Sequence, residues 1–433
     1  MNSEYSIGGL SGLASVVFLA ALAGRAEAAE QAARQPTVAE LTAQLSVGDA
    51  AARVSAAEAL AEHGEAGRTA IPALIEALDD EDGEVRAASA DALGRLALEP
   101  DKAAAALAAK LGDETLTRRG PVWALAGLAL GSCGRPALPH VTPALKSRST
   151  TECRAAMLAI YRAGKEAKET VPELIAILQQ NDPQTRTYAI NALLGIGPDA
   201  KDAVPELIQM LSSDDFHTQY WACRALGAIG PEARSATDEL VRCLKVGVTS
   251  VRRNAAAAMG QIGTAIGQKG VDALVAALSD PIQPVRQNAV VALGDLKPLA
   301  ERAVPVIEQM LQEPSKFTPR ATAAKTLWRL DPQSPTPVEA LLRDLTENAE
   351  PWVAAQVLGE IKVADSIIPR LTALLDSPNV WTRQYAAVAL LEMGAETAKA
   401  KATLEELSRS DHDETRQTAA AALEKINAKP SSP

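Results

Sequence analysis

The chain has 433 residues, a formal net charge of −11 and an isoelectric point of about 5.1. Hydrophobic residues make up 47% of the sequence but aromatic residues only 3%, so the apolar content consists mainly of Ala, Leu, Val and Ile, which suit closely packed helices. An acidic surface repels phosphate backbones and anionic lipids, so we expect no nucleic-acid partner.

The N-terminal segment differs from the rest of the chain. Residues 7–24 carry no charge and contain the apolar stretch LASVVFLAALAG, and Ala26-Glu27-Ala28 follows with the small-x-small pattern of a cleavage site. This pattern predicts an export signal over residues 1–28 and a periplasmic or extracellular location. The preceding MNSEYS, however, has no Lys or Arg, which a signal peptide normally carries. The alternative is an uncleaved membrane anchor over residues 7–24, and a membrane is a partner only in that case.

The remainder of the chain repeats itself. Residues 169–178 read ETVPELIAIL and residues 202–211 read DAVPELIQML, so the same pattern returns one repeat further on. The pattern recurs with a period of about 33 residues and defines twelve units between positions 36 and 427. The anchor positions of the units are Ala39, Pro72, Ala105, Pro139, Pro172, Pro205, Asp238, Asp272, Pro305, Glu339, Pro369 and Ala402.

Each unit contains two helical stretches. The first is short, as in PELIQML at residues 205–211, and the second is longer, as in DGEVRAASADALGRLA at residues 82–97. A single unit cannot be stable alone, because ordering it costs about 1.5 kcal/mol per residue while it presents two half-covered helices. The units must stack, which predicts an all-α, right-handed α-α superhelix (solenoid) of about twelve helix-pair repeats over residues 29–428, followed by a disordered tail at 429–433.

The pattern LVAALSDPIQPVRQNAVVALGDL at residues 274–296 resembles the HEAT repeat in its short form, the form named after phycobilisome lyases. The resemblance implies a ladder of Asp and Arg contacts between neighbouring units. An arginine near the start of the second helix recurs as Arg53, Arg86, Arg186, Arg252, Arg286, Arg320, Arg383 and Arg416, and three of these have an Asp four residues earlier, namely Asp49, Asp82 and Asp182. We expect exposed pairs that set the stacking angle; the alternative is an arginine row that binds anions.

Similar repeat proteins include enzymes, so catalytic residues must be considered. Deoxyhypusine hydroxylase resembles this architecture and binds two irons through His-Glu dipeptides, but no histidine of this chain, at His63, His140, His217 or His412, is followed by Glu. We therefore expect no metal, no cofactor and no catalytic residue. The alternative function is a lyase-like or hydroxylase-like enzyme that handles a chromophore or a modified side chain in the groove.

The second helices of such a solenoid line its concave surface, and several large side chains fall on their outer side. Leu128, Tyr161 and Leu194 recur once per repeat; Tyr188 and Trp221 share a flanking position with Trp352 and Tyr385, and Arg224, Asn191 and Gln261 could add polar contacts. Large apolar residues at exposed positions favour a binding surface, although the next unit could instead cover them. The prediction is an exported, non-catalytic scaffold that binds a protein or peptide on the concave surface through Leu125, Leu128, Leu158, Tyr161, Tyr188, Leu194, Tyr220 and Trp221.

The four cysteines, Cys133, Cys153, Cys223 and Cys243, form no C-x-x-C pair. Two interpretations remain open from the sequence. They are either four buried, small hydrophobic residues, or Cys223 and Cys243 form a disulfide in the exported protein.

Overall fold

The computed structural model describes residues 36–428, apart from Asn181, Pro298 and residues 313–319, 348–350, 362–366 and 396–397. The predicted export segment 1–28 and the tail 429–433 lie outside the described residues. By the contacts between its elements, the chain divides into two compact units, Met1–Ala163 and Gly164–Pro433. None of the described helices is both long enough and apolar enough to cross a membrane.

The described part of the first unit, from residue 36 onward, contains four helix pairs. In each pair we call the odd-numbered helix the first helix and the even-numbered helix the second helix. The bounds are α1 Val38–Val47, α2 Ala50–Glu62, α3 Ile71–Glu76, α4 Gly83–Leu96, α5 Pro100–Ala108, α6 Val122–Ser132, α7 Leu138–Leu145 and α8 Thr150–Ala163.

The second unit contains eight further pairs, which completes the twelve predicted from the repeat and confirms the all-α solenoid fold. The bounds are α9 Val171–Leu178, α10 Pro183–Ile196, α11 Val204–Met210, α12 Phe216–Ile229, α13 Thr237–Val246, α14 Thr249–Ile262, α15 Gly267–Ala277, α16 Gln283–Asp295, α17 Val304–Gln312, α18 Arg320–Leu330, α19 Thr336–Glu347, α20 Pro351–Ile361, α21 Ile368–Leu374, α22 Val380–Glu392, α23 Ala398–Leu407 and α24 Asp413–Ala428. Short 3-10 helices, such as Gly197–Ala203 and Gly230–Ala236, lead into several of the first helices.

A small β-hairpin interrupts the helical pattern in the first unit and was not predicted from the sequence. Strands β1 (Leu116–Thr117) and β2 (Gly120–Pro121) pair antiparallel in the loop between α5 and α6. Gly120 adopts a φ of 116°, a region that glycine reaches without a steric penalty, and Thr117 Oγ1 donates a hydrogen bond to the Gly120 carbonyl at 2.6 Å.

The second helices begin at capping residues that the sequence analysis interpreted differently. Asp49, Asp82 and Asp182, which we expected to belong to the arginine ladder, accept hydrogen bonds from backbone N–H groups of the first helical turn. A carboxylate in this position satisfies amides that have no partner within the helix, and it also interacts favourably with the positive end of the helix dipole. The aspartates therefore cap the second helices that they precede.

The arginines do form a ladder, but with a different set of aspartates. Arg252 lies 2.8 Å from Asp280, a residue of the following interhelical loop, and Arg252 Nη1 also donates to the Gly247 carbonyl of its own loop at 3.0 Å. The same inter-repeat pairing joins Arg53 to Asp80, Arg86 to Asp113 and Arg320 to Asp344. The expectation of exposed pairs is wrong for these four pairs, because their side chains are only 4–17% exposed, whereas the partners of Arg383 and Arg416 are 71% and 79% exposed. Each arginine of these four pairs is turned inward to a carboxylate, which argues against an anion-binding row.

Neighbouring second helices approach closely because glycine and alanine face each other where they meet. A Cβ atom added to Gly260 of α14 would lie 2.9 Å from the Cα atom of Ala292 on α16. Gly227 is equally close to Ala258, and in the first unit Gly127 meets the backbone of Ala155. These glycines of the second helices therefore have a packing role that outweighs their low helix propensity.

All four cysteines are buried free thiols. The structure therefore agrees with the first interpretation, in which none of them forms a disulfide. The neighbouring Cys243 side chain and burial raise the pKa of Cys223, and the Cys243 thiol donates a hydrogen bond to the Leu211 carbonyl. Burial also raises the pKa of Cys133, to about 11, and that of Cys153.

Candidate functional site

Glycines in the left-handed region fix the register of the second helices. Gly164, Gly197 and Gly230 each follow a second helix with positive φ at one constant spacing, but Gly134 precedes Gly164 by a shorter interval. Relative to these glycines, Tyr161 and Leu194 occupy the same position in their second helices, as predicted. Leu128 instead corresponds to Leu158 and Asn191, so its predicted equivalence with Tyr161 is wrong by three residues. The shorter repeat before Gly164 accounts for the shift.

Four of the predicted residues belong to the first unit. Leu125 and Leu128 of α6 are half-buried and line a cavity of about 230 Å³ whose other walls include Asp91, Arg95 and Arg162. Leu158 on α8 is also half-buried, whereas Tyr161 is 41% exposed. This cavity is small and bordered by charged side chains, so it offers little room for a peptide side chain.

A second site lies in the second unit, where the predicted residues Tyr188 and Trp221 face a common groove. Tyr188 projects from α10 and Trp221 from α12, at equivalent positions one repeat apart, and both are half-buried. The groove has a volume of about 720 Å³, within the range of sites that bind small molecules or peptide side chains. Its lining is completed by Pro183, Gln184, Thr187, Asn191, Asp215 and His217.

An arginine and two aromatic rings form a cluster on α12 beside this groove. The guanidinium carbon of Arg224 lies 4.6 Å from the centroid of the Trp221 ring and 5.7 Å from that of Tyr220. The two rings meet edge to face at a centroid distance of 5.0 Å. Both distances to Arg224 fall within the range of cation–π attraction, so the rings hold the guanidinium in place while it keeps its charge.

One end of the groove is formed by the start of α12. Asp215 caps this helix, accepting hydrogen bonds from the Thr218 hydroxyl at 2.7 Å and from the His217 and Thr218 amides at 3.1 and 3.0 Å. The Thr218 hydrogen bond is the main cause of the lowered pKa of Asp215. The carboxylate is therefore ionised at neutral pH and engaged with its own helix. The His217 ring lies 4.2 Å from that of the exposed Phe216.

The remaining predicted positions have differing surroundings. Leu194 is half-buried and Gln261 is exposed, with its amide lying across Gly227. Tyr385 is only 6% exposed and stacks against Trp381 with centroids 6.3 Å apart, so the expected flanking position is not available there. Trp352, by contrast, is 59% exposed.

The sequence analysis missed Phe216 and His217 as parts of the site. Phe216 precedes Tyr220 by four residues, as His217 precedes Trp221, and this spacing places each pair on the same side of a helix. That signal was present in the sequence. Among the described residues, no three His, Cys, Asp or Glu side chains are close enough together to hold a metal ion.

Comparison with known proteins agrees with this geometry at the level of the fold. A family model for HEAT repeats matches residues 38–126, 171–259, 238–328 and 334–424, well over half of the chain. No curated protein sequence matches significantly.

Solved structures of helical-repeat proteins are similar to the chain. Kap121p bound to Pho4p has a TM-score of 0.58 at 14% identity over 90% of this chain and 53% of that one, and importin beta has 0.57 at 15% over 90% and 62%. The complex of CpcE and CpcF of phycocyanin lyase from Nostoc sp. PCC7120 has a TM-score of 0.36 at 23% identity over 55% and 94%. The chain spans about half the length of Kap121p, and at these identities the similarity shows the fold alone.

Proposed function

The chain belongs to the HEAT-repeat family, and we propose that it is an exported, non-catalytic scaffold that binds a protein or peptide on the surface formed by its second helices. The groove between α10 and α12 is the observation that carries the proposal. It combines two half-buried aromatic rings, Tyr188 and Trp221, with a stacked cation, Arg224. Tyr, Trp and Arg are the residues that most often dominate binding energy in protein interfaces.

The spacing of the helices supports a concave position for this surface within the second unit. Gly227 and Gly260 allow close backbone contacts between the second helices α12, α14 and α16. The first helices α11, α13 and α15 have no comparable series of glycines at their contacts with one another. In a curved array, the more closely spaced row of helices lies on the inner side. Kap121p, which shares this fold, binds proteins such as Pho4p, so the fold can serve as a binding scaffold.

Selection from a displayed library of random peptides tests the proposal. Immobilised wild-type protein should enrich a family of related peptides, and Trp221→Ser should lose them, because the substitution removes one wall of the groove. Val246→Ser is the matched control, since it removes an exposed apolar side chain from the first helix α13 of the same unit, outside the surface formed by the second helices. We expect this control to retain the selected peptides.

Two results would contradict the proposal. One is the absence of any enriched peptide family on the wild-type protein, and the other is equal retention by Trp221→Ser and the wild type. Circular dichroism of both variants checks that they are folded. Stoichiometric iron or a visible chromophore in the purified protein would favour the enzymatic alternative instead.

Export is the second part of the proposal, supported by the uncharged residues 7–24 and the Ala26-Glu27-Ala28 sequence. Mass spectrometry of the protein recovered from the exported fraction should give a mature N-terminus close to residue 29. Recovery of the intact chain in the membrane fraction would support an anchor over residues 7–24, and recovery only in the cytoplasm would contradict both.

A further inference from the structure

Three successive second helices of the second unit carry no acidic residue. The chain contains 54 Asp and Glu residues and has a net charge of −11, yet α10, α12 and α14 contain none. The next second helix, α16, contains one acidic residue, Asp295, at its last position. A row of adjacent helices without carboxylates is therefore a local exception in an acidic protein.

Cations are present on this same row. Arg224 lies against the Trp221 and Tyr220 rings, and Arg253, an exposed residue of α14, occupies the position that Tyr220 holds one repeat earlier. Within the described part of the chain, neither guanidinium forms an ion pair. Arg252, the neighbour of Arg253, differs in this respect, because its guanidinium forms an ion pair with Asp280.

The one carboxylate in the groove does not neutralise these cations. Asp215 is engaged by two backbone amides and the Thr218 hydroxyl at the start of α12. Arg224 lies nine residues further along the same helix, more than two turns away. The groove region thus combines apolar ring faces with uncompensated positive charge, whereas most of the chain's charge is negative.

On the basis of the proposed function, we infer that the partner is an extended polypeptide segment in which acidic residues alternate with apolar ones. Its carboxylates pair with Arg224 and Arg253, and an apolar side chain enters the groove between Tyr188 and Trp221. Arginine pairs well with carboxylates because its planar fork can donate two parallel hydrogen bonds. Electrostatic complementarity of this kind selects partners by charge. Two cations are too few to hold a nucleic acid against the repulsion of an acidic protein.

The composition of the selected peptides tests this inference. Peptides enriched by the wild-type protein should be rich in Asp and Glu, and replacing those residues by Asn and Gln in a fluorescein-labelled copy should weaken binding. Arg224→Gln combined with Arg253→Gln should weaken binding of the acidic peptide about tenfold, the usual effect of losing one or two charge-assisted contacts. The same variant should leave the affinity for the Asn/Gln copy unchanged. Arg302→Gln, in the segment before the first helix α17, is the matched control and should bind both peptides as the wild type does.

The outcomes separate this inference from the proposed function. Selected peptides that are basic or neutral, yet depend on Trp221, would overturn the acidic partner and leave the binding function standing. The absence of selected peptides would overturn both. Displacement of the acidic peptide by single-stranded DNA at equal concentration would overturn the inference in favour of a nucleic-acid partner.

Discussion

Gly260 offers a direct test of how the second helices are packed. A methyl group at this position would lie 2.8 Å from the Ala292 Cβ atom and 2.9 Å from its Cα atom, so the two helix backbones would have to move apart. Overpacking of this kind costs about 1–3 kcal/mol. Replacing a helical glycine by alanine gains up to about 1 kcal/mol of helix propensity. We therefore expect Gly260→Ala to lower the free energy of unfolding by about 1 kcal/mol.

Gly294 is the matched control, because it occupies the equivalent position one repeat later. A Cβ atom there would meet the Thr326 and Arg329 side chains at 3.2–3.3 Å, and side chains can move aside. Gly294→Ala should therefore be neutral or stabilising by up to about 1 kcal/mol, so that the two variants differ by about 1–2 kcal/mol.

Urea denaturation followed by far-UV circular dichroism measures this difference, and hydrogen exchange of α14 and α16 shows whether the loss is local. Gly260→Ala should cost less in an Ala292→Gly background than in the wild type, because the clash between the two methyl groups is then absent and only the one with the backbone of residue 292 remains. Equal effects of the two single alanine variants would refute the close approach as the reason for glycine at position 260.

Three further predictions concern the ion pairs and the cysteines. Asp344→Ala should destabilise the protein by about 3 kcal/mol, since it leaves Arg320, which is 5% exposed, with only the more distant and more exposed Glu347 carboxylate at 3.6 Å; a thermal or urea transition like that of the wild type would contradict this. Burial acts to raise the pKa of Asp280, but the Arg252 hydrogen bond and other contacts lower it on balance. The stability that this pair contributes is therefore complete above the unfolded carboxyl pKa of about 3.9 and is lost as pH falls below it. The difference in urea midpoint between wild type and Asp280→Asn should accordingly shrink from neutral pH to about pH 3, and a constant difference would disprove the linkage. Finally, alkylation of the unfolded, unreduced protein should add four labels by mass, one each at Cys133, Cys153, Cys223 and Cys243, whereas two labels would reveal a bridge between two of them.

The fold was predictable to a large extent because a repeat multiplies every local signal. The proline that begins PELIQML at residue 205 and the glycine that follows the preceding second helix at 197 each recur in several units at a similar spacing, so the copies reinforce one another. Among the described residues the hairpin at Leu116–Pro121 occurs only once, so no repeated sequence signal predicted it. The register error at Leu128 has the same origin, since one shortened repeat breaks the period that the counting relied on.

The candidate site was predictable only in part. Tyr188 and Trp221 could be assigned to a shared position because they lie one repeat apart. Their equivalence in sequence could not show that Tyr385, at a similar position, is buried against Trp381. Burial depends on the side chains that neighbouring helices contribute, and those contacts are not periodic.

The sequence by itself determined the paired helices, their number and the need for stacking, because helix periodicity and the burial of an apolar stripe are local properties repeated along the chain. Only the tertiary structure decided which carboxylate each arginine contacts: Arg252 reaches Asp280 of the next loop, while Asp182 and Asp215 cap their own helices. It also brought Tyr188 and Trp221 to a common groove. Pairings between repeats depend on the distance between stacked helices, which is set by whether glycine, alanine or a larger residue lies at each contact.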